Sequence, residues 1–279
     1  MTIALTGATG SLGRLVVDSL LASGDTPIAI VRDAAKASDI AAKGVEVRVA
    51  DYSDPVALRS AFEGVDTLLL ISGNQVGQRI QQHQNAIDAA ESAGVGRVVY
   101  TSAPKATEST LVLAPEHKAT EEYLTASGLN YTILRNNWYN ENYFQQVDAV
   151  RETGVLVAAA GDGKVASASR KDFAEAAARV LVTDDHDRQV YELTGDTAWD
   201  YDEFASVLSD VTGREVVYKP VEAPALVQTL VEAGLEEGTA QFVAALDNNI
   251  AEGTIADTDP ALSRLIGRPT TTLLETLQG

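Results

Sequence analysis

The sequence predicts an α/β protein with a doubly wound parallel sheet and a small, mainly helical cap in its C-terminal part. Three observations indicate this architecture. A glycine-rich turn follows the first apolar run, strand-like and helical patterns alternate through residues 1–135, and the pattern is mainly helical after residue 195. Apolar strands separated by helices are typical of a parallel sheet that is covered on both faces.

The glycine-rich turn is Gly7-Ala8-Thr9-Gly10-Ser11-Leu12-Gly13, directly after the apolar run 3–6. Apolar residues then recur at helical spacing until Gly24. Glycines in this pattern let the backbone approach a pyrophosphate, which the unpaired N–H groups of the following helix attract. The turn predicts a Rossmann-type fold and a dinucleotide site; an ordinary glycine-rich strand–helix turn is the alternative. Cofactor contacts are expected from Gly7, Thr9, Gly10, Ser11, Leu12 and Gly13.

The remaining elements follow in order. Strand-like runs lie at 3–6, 27–31, 45–49, 67–72, 97–102 and 131–134. Val76, Ile80, Ile87 and Ala90 predict one face of a helix that Gly94 ends, and Pro115 and Gly128 bound another helix. The crossovers between parallel strands are right-handed, so the sheet is doubly wound.

The pattern changes after Leu134. Residues 135–170 are rich in Asn, Gly, Tyr and Trp, a helix follows, and the run 190–193 is expected to rejoin the sheet. Asp200 and Glu203 predict a capping box, with Trp199 and Phe204 as a hydrophobic staple. Further helices are expected near 223–233, 238–248, 259–266 and 271–278. We expect residues 1–135 and 171–194 to form the dinucleotide-binding domain, and 136–170 and 195–279 to form a substrate-binding cap.

Composition narrows the function classes. The net charge of −19 argues against nucleic acid and anionic membrane surfaces as partners. No apolar stretch approaches the roughly 20 residues that span a bilayer. The first strand is expected to begin at once, so we expect no signal peptide. Cysteine is absent, which excludes disulfides and thiolate chemistry and fits a cytoplasmic protein. The three histidines lack metal-ligand spacing, and no Gly-x-Ser-x-Gly motif indicates serine hydrolysis.

The ends of the predicted strands supply the other cofactor contacts. Arg32 ends the second strand, where an arginine can bind a 2′-phosphate, and Lys36 adds a second cation. We therefore expect NADPH rather than NADH, although Arg32 could be a surface cation with Asp33 on the ribose. Asp51 either accepts from the adenine amino group or caps a turn. Contacts below the cofactor ribose are expected from Ser72 and Gly73, and Ser102 is expected to face the nicotinamide.

The acid pair of common short-chain reductases, Tyr-x-x-x-Lys, is absent. At that place His117 and Glu121 lie four residues apart on one predicted helix face, where they can interact. His117 is a candidate proton donor near neutral pH. A solvated helix pair is the alternative.

An aromatic and amide-rich segment, 135–143, follows the sixth strand at the carboxyl edge of the sheet. Aromatic walls with amide donors suit a planar ligand that carries carbonyl groups. We expect Trp138, Tyr139 and Asn142 to shape the substrate pocket, with Tyr139 and Asn142 also as catalytic candidates. A packed loop between the sheet and the cap is the alternative.

Several segments together resemble the NmrA-like branch of the atypical short-chain dehydrogenases, in particular its bacterial NADPH-dependent quinone reductases. They are 7–13, 31–33, 76–79, 134–143, 160–164 and 265–273, so that the resemblance covers essentially the whole chain. It implies two-electron reduction of a small-molecule quinone by NADPH without flavin. It also implies that the glycine loop and Arg32 hold the cofactor. The segment 136–142 is then expected beside the nicotinamide, with Asn136 and Asn137 as cofactor contacts.

The same family includes regulators that bind NADP(H) without turning it over and then bind a protein partner. Such a redox sensor is the second hypothesis, and the polar and aromatic pocket favours the enzyme. Two positions differ from the expected family pattern: Asn137 replaces a glycine and Lys118 replaces an apolar residue. Monomers and homodimers both occur in the family.

Overall fold

The structure, a computed structural model, describes residues 1–279. Its main sheet has seven parallel strands in the order β3-β2-β1-β4-β5-β6-β8. The strands are β1 Ile3–Leu5, β2 Ile28–Val31, β3 Glu46–Val49, β4 Thr67–Leu70, β5 Arg97–Ser102, β6 Asn130–Asn136 and β8 Gln189–Leu193. The predicted Rossmann-type doubly wound sheet is therefore confirmed, including the late strand that rejoins it.

The chain has twelve α-helices. They are α1 Ser11–Ala22, α2 Ser38–Ala41, α3 Pro55–Ala61, α4 Arg79–Ala93, α5 Ala114–Ala126, α6 Phe144–Thr153, α7 Arg170–Val182, α8 Tyr201–Thr212, α9 Ala223–Glu232, α10 Glu237–Ala251, α11 Ala261–Ile266 and α12 Leu273–Gln278. Of these, α1, α7 and α11 cover one face of the sheet around one buried core, and α3, α4 and α5 cover the other face around a second. No helix combines the length and the apolar character that are needed to cross a membrane.

The cap is built on a third core. Strands β7 Val155–Ala158 and β9 Val217–Pro220 pair in parallel beside α6 and α8. The predicted capping box of Asp200 and Glu203 is present, and the rings of Trp199 and Phe204 lie 5.2 Å apart as the expected staple. Because α11 packs against α7 and β8, part of the C-terminal segment rests on the sheet domain. We propose the two domains expected from the sequence, 1–135 with 171–194 and 136–170 with 195–279, except that α11 belongs to the sheet domain.

Two local predictions are wrong. Helix α4 begins at Arg79, and both Val76 and Ile80 are exposed, so the start of this helix has no apolar buried face. Its buried residues there are Arg79, Gln82 and His83. Gly128 also does not end α5 directly, because Ser127 leaves the helix first with an extended backbone.

Candidate active site

A cleft of about 740 Å³ opens at the carboxyl edge of the sheet. It lies where the strand order reverses direction between β1 and β4, which is where open α/β sheets bind ligands. The candidate site residues predicted from the sequence line this cleft, apart from the alternative ribose ligand Asp33. They are Gly7, Thr9, Gly10, Ser11, Leu12, Gly13, Arg32, Lys36, Asp51, Ser72, Gly73, Ser102, His117, Asn136, Asn137, Trp138, Tyr139 and Asn142.

The glycine loop joins β1 to α1 by close backbone contact. Gly7 has a φ of +63°, which a residue with a side chain rarely adopts. A Cβ at Gly13 would lie 2.3 Å from the Gly7 carbonyl oxygen, so only glycine permits this packing. Gly10 occupies the N-cap position of α1 and has no side chain that could accept a hydrogen bond. The amides of Ser11 and Leu12 consequently have no partner in the protein. The loop therefore offers unpaired donors to an anion.

Arg32 and Lys36 form the cationic end of the cleft. Asp33 does not line the cleft; its carboxylate accepts from the Ala35 amide at 2.9 Å and caps a short 3₁₀ turn. Arg32 makes no ion pair or hydrogen bond and is exposed at the cleft. This arrangement favours the 2′-phosphate hypothesis for Arg32 over the alternative in which Asp33 binds the ribose.

The cleft carries more positive charge than the protein as a whole. Arg32, Lys36, Arg79 and Arg170 line it, against one carboxylate, Asp51. The local excess of cations opposes the net charge of −19 where a phosphorylated ligand is expected.

Asp51 and Ser102 are both engaged inside the protein. Asp51 Oδ1 accepts from the Ser53 amide at 2.8 Å and from its hydroxyl at 2.5 Å, and these bonds lower the pKa of Asp51. Of the two roles expected for Asp51, its Oδ1 atom thus has that of a turn cap. The hydroxyl of Ser102 donates to Glu121 Oε1 at 2.6 Å. Ser102 can thus accept, but not donate, a hydrogen bond in the cleft.

An ion pair beside the cleft, Arg79–Glu116, was not among the site residues predicted from the sequence. The Gly73 carbonyl accepts from Arg79 Nε at 2.7 Å, and the Arg79 guanidinium lies 2.8 Å from Glu116 Oε2. The Gly77 amide also donates to Glu116, at 2.7 Å. The available signal was the spacing of Arg79, Gln82 and His83, which is that of one helix face. This network fixes the chain that follows β4.

His117 does not pair with Glu121, so that prediction is wrong. His117 Nδ1 lies 2.8 Å from the Tyr100 hydroxyl, whereas Glu121 binds Arg135 and Ser102. Burial, together with the nearby charges of Arg79 and His83, lowers the pKa of His117 to about 3. The imidazole of His117 is therefore neutral near neutral pH, and the expectation that it acts there as a cationic proton donor is wrong.

The amide-rich segment 135–143 contains two buried asparagine oxygens without a partner, those of Asn136 and Asn140. Asn136 Oδ1 is sealed from solvent and has no partner in the protein. In contrast, both polar atoms of the Asn137 side chain are engaged, with the Ile255 carbonyl at 3.2 Å and the Trp138 amide at 2.8 Å. Asn137 therefore joins β6 to the cap, and one N–H of its carboxamide is occupied by this contact.

Tyr139 and Asn142 hold a cation that the sequence interpretation missed. The Arg170 guanidinium lies 4.9 Å from the centre of the Tyr139 ring and donates to Asn142 Oδ1 at 2.8 Å. The ring edge of Tyr139 also packs against Phe173, 5.3 Å between centroids. One face of Tyr139 is thus covered by Arg170, while Trp138 packs toward the cap core.

Comparison with known proteins agrees with this geometry. The profile of the NAD(P)H-binding family matches residues 7–184. Quinone oxidoreductase 2 of Escherichia coli is 48% identical over 277 residues, which cover 99% of this chain and 97% of the relative. An NAD(P)H azoreductase of Xenophilus azovorans is 30% identical over 98% of this chain and 96% of its own length.

Two solved structures are similarly close. An NADPH-dependent quinone oxidoreductase from Escherichia coli, complexed with NADPH, superposes with a TM-score of 0.96 at 47% identity, covering 99% of this chain and 98% of the other. Triphenylmethane reductase of Citrobacter sp., complexed with NADP(H), gives 0.95 at 41% identity, covering 99% of each chain. The chain belongs to the NAD(P)H-binding family, within the NmrA-like reductases that include quinone oxidoreductase 2.

Proposed function

We propose that this protein transfers a hydride from NADPH to quinones, in a two-electron reduction that needs no flavin. The observation that supports it best is the cleft itself. It joins an unpaired arginine and a glycine loop at one end to a partly apolar pocket at the other. The similarity to quinone oxidoreductase 2 over the whole chain supports the same conclusion.

The residues of the cleft fit NADPH. The amides of Ser11 and Leu12 suit the pyrophosphate, and Arg32 with Lys36 suits the 2′-phosphate. When bound, NADPH supplies the hydride.

The protein's own contribution to catalysis is mainly to hold and orient the reactants. Apolar side chains of Pro104, Leu111, Leu113 and Trp138 line the cleft and exclude water from one wall. They suit a flat acceptor held about 3–3.5 Å from the cofactor. In the net reaction NADPH, a quinone and one proton give NADP⁺ and a hydroquinone. The delocalised hydroquinone anion is a weak base, so that water can supply the proton and no Tyr–Lys pair is required.

The decisive experiment follows NADPH absorbance after a benzoquinone or naphthoquinone is added to the purified protein. We expect oxidation well above the non-enzymatic rate, one hydroquinone for each NADPH, and no flavin released on denaturation. If NADPH binds but no quinone accelerates its oxidation, the redox-sensor hypothesis replaces this one. The predicted monomer or homodimer is tested by sedimentation of the same sample.

A further inference from the structure

A row of buried polar groups lies behind the wall of the cleft. The Gly73 amide donates to His83 Nε2 at 3.0 Å, and His83 Nδ1 lies 2.9 Å from the Thr120 hydroxyl. The Tyr100 hydroxyl, also next to Thr120, lies 2.8 Å from His117 Nδ1. The four side chains come from β5, α4 and α5, and His117 brings the row to the cleft.

The direction of the first bonds is fixed by the backbone. An amide carries one proton and can only donate, so His83 Nε2 is an acceptor. The neutral His83 ring therefore carries its proton on Nδ1 and donates it to Thr120 Oγ1. Burial holds His83 neutral by lowering its pKa to about 3. Thr120 in turn donates to the Glu116 carbonyl at 2.9 Å.

The donor in the hydrogen bond between Tyr100 and His117 can be assigned in a similar way. Tyr100 is fully buried, and a buried hydroxyl that donates to nothing is costly. The Tyr100 hydroxyl has hydrogen-bond geometry only to His117 Nδ1, and this nitrogen has no other partner in the protein. Tyr100 therefore donates to His117 Nδ1, and the proton of the neutral His117 ring lies on Nε2.

His117 Nε2 faces the cleft. The nitrogen makes no hydrogen bond within the protein, and it is not among the buried polar atoms that are sealed from solvent without a partner. Since His117 lines the cleft and is otherwise buried, the open side of the ring is the cleft side.

We propose that Tyr100 is a positioning residue that holds neutral His117 with its Nε2 proton toward the cleft, so that this N–H donates a hydrogen bond to the quinone oxygen that gains negative charge. The proposal rests on the proposed quinone reduction and adds a specific group to it. A neutral imidazole can stabilise a developing oxyanion without transferring its proton. The hydride adds to the quinone, His117 keeps its proton, and water protonates the hydroquinone anion.

The first test reads the tautomer of the ligand-free protein. Long-range ¹H–¹⁵N spectra of histidine-labelled protein contain only His83, His117 and His186. We expect Nε2–H for His117 and Nδ1–H for His83. In Tyr100→Phe we expect the His117 signals to move toward an exchange average of both tautomers. Nδ1–H on His117 in the unmodified protein would overturn the proposal.

A second Tyr–His pair provides the matched control. Tyr191 lies 2.8 Å from His186 Nδ1, and neither residue lines the cleft. Tyr191→Phe removes the same hydroxyl and should change the His186 signals while leaving kcat unchanged. Tyr100→Phe should lower kcat about tenfold with an unchanged Kd for NADPH, since one oriented hydrogen bond is lost.

A double-mutant cycle separates a positioning role from a structural one. If Tyr100 acts through His117, then Tyr100→Phe should lower kcat no further in a His117→Phe protein. Equal losses in both backgrounds would contradict the proposal while leaving quinone reduction itself intact. An unmodified protein without quinone reduction would instead refute the proposed function, whatever tautomer the spectra report.

Discussion

Glu121 and Arg135 form an ion pair inside the protein, with Nη2 2.6 Å from Oε2 and Nε 2.9 Å from Oε1. Glu121 is almost fully buried, and it also accepts from Ser102 in the cleft wall. The pair therefore joins α5 to β6 directly behind the site. Bidentate geometry of this kind fixes both side chains.

The Glu121→Gln change should destabilise the protein. It leaves the partly buried Arg135 with only Glu192, at 2.9 Å, as an ionic partner. We expect the free energy of unfolding to fall by about 2 kcal/mol, as measured by urea denaturation. The adjacent Glu122 pairs with Lys118 at the surface, 3.9 Å apart. Glu122→Gln should therefore cost less than about 0.5 kcal/mol; equal effects of the two changes would show that the buried pair is not special.

A methyl group at Gly13 should disturb the cofactor loop. The Cβ of Gly13→Ala would lie 2.3 Å from the Gly7 oxygen, whereas that of Gly10→Ala would lie 3.2 Å from it. We expect Gly13→Ala to destabilise the fold by about 1–3 kcal/mol and to weaken NADPH binding. Gly10→Ala should have the smaller effect on both the free energy of unfolding and the Kd for NADPH. The reverse order would argue against close packing between the loop and the helix.

Arg32 should determine the choice between NADPH and NADH. Arg32→Ala removes the cation proposed for the 2′-phosphate, so we expect KM for NADPH to rise about 10- to 100-fold. KM for NADH should change little, because NADH lacks that phosphate. Arg59 is an exposed arginine outside the cleft, and Arg59→Ala should leave both values unchanged. Equal loss of NADH and NADPH affinity in Arg32→Ala would contradict the role.

Asp247 should make stability depend on pH. Burial raises the pKa of Asp247 from 3.8 to about 6, although its carboxylate accepts from the Ala159 amide at 2.8 Å. The folded state therefore binds this proton more strongly than the unfolded state does. Protonation of Asp247 therefore adds to the free energy of unfolding at low pH, and this contribution is lost as the pH rises through about 6.

Replacement of Asp247 isolates this contribution. Asp247→Asn keeps an acceptor for the Ala159 amide and carries no charge. We expect the variant to be more stable than the unmodified protein at pH 8, by about 2 kcal/mol. The difference should shrink toward the acid side of the range, in urea denaturation at a series of pH values. A constant difference at all pH values would exclude the titration of Asp247 as the cause.

Local signals in the sequence predicted much of the fold. The glycine turn, the apolar strands and the capping box of Asp200 and Glu203 depend on neighbouring residues, and all three are present. The strand Val217–Pro220 was not predicted, because its partner β7 lies far away in the sequence and supplies the bonds that define it. Patterns of apolar residues do not predict the start of α4, because its buried residues there, Arg79, Gln82 and His83, are polar.

In the candidate site, the sequence predicts the positions of residues better than the partners of their side chains. Positions at the ends of strands could be predicted, since parallel strands bring their carboxyl ends to one edge, and the cleft contains them all. The partners of side chains could not be predicted in the same way. His117 meets Tyr100 from another element, and Glu121 on the same helix pairs with Arg135. Arg170 reaches the cleft because Tyr139 and Asn142 hold it there.

Single-turnover reduction tests the central hypothesis most directly. Protein preloaded with NADPH is mixed with a naphthoquinone, and the loss of NADPH absorbance is followed with unlabelled and with 4-deuterated cofactor. We predict rapid oxidation, slowed by deuterium, with one hydroquinone formed for each NADPH and no flavin signal. Oxidation no faster than that of free NADPH, or a rate that requires added flavin, would contradict direct hydride transfer in this cleft.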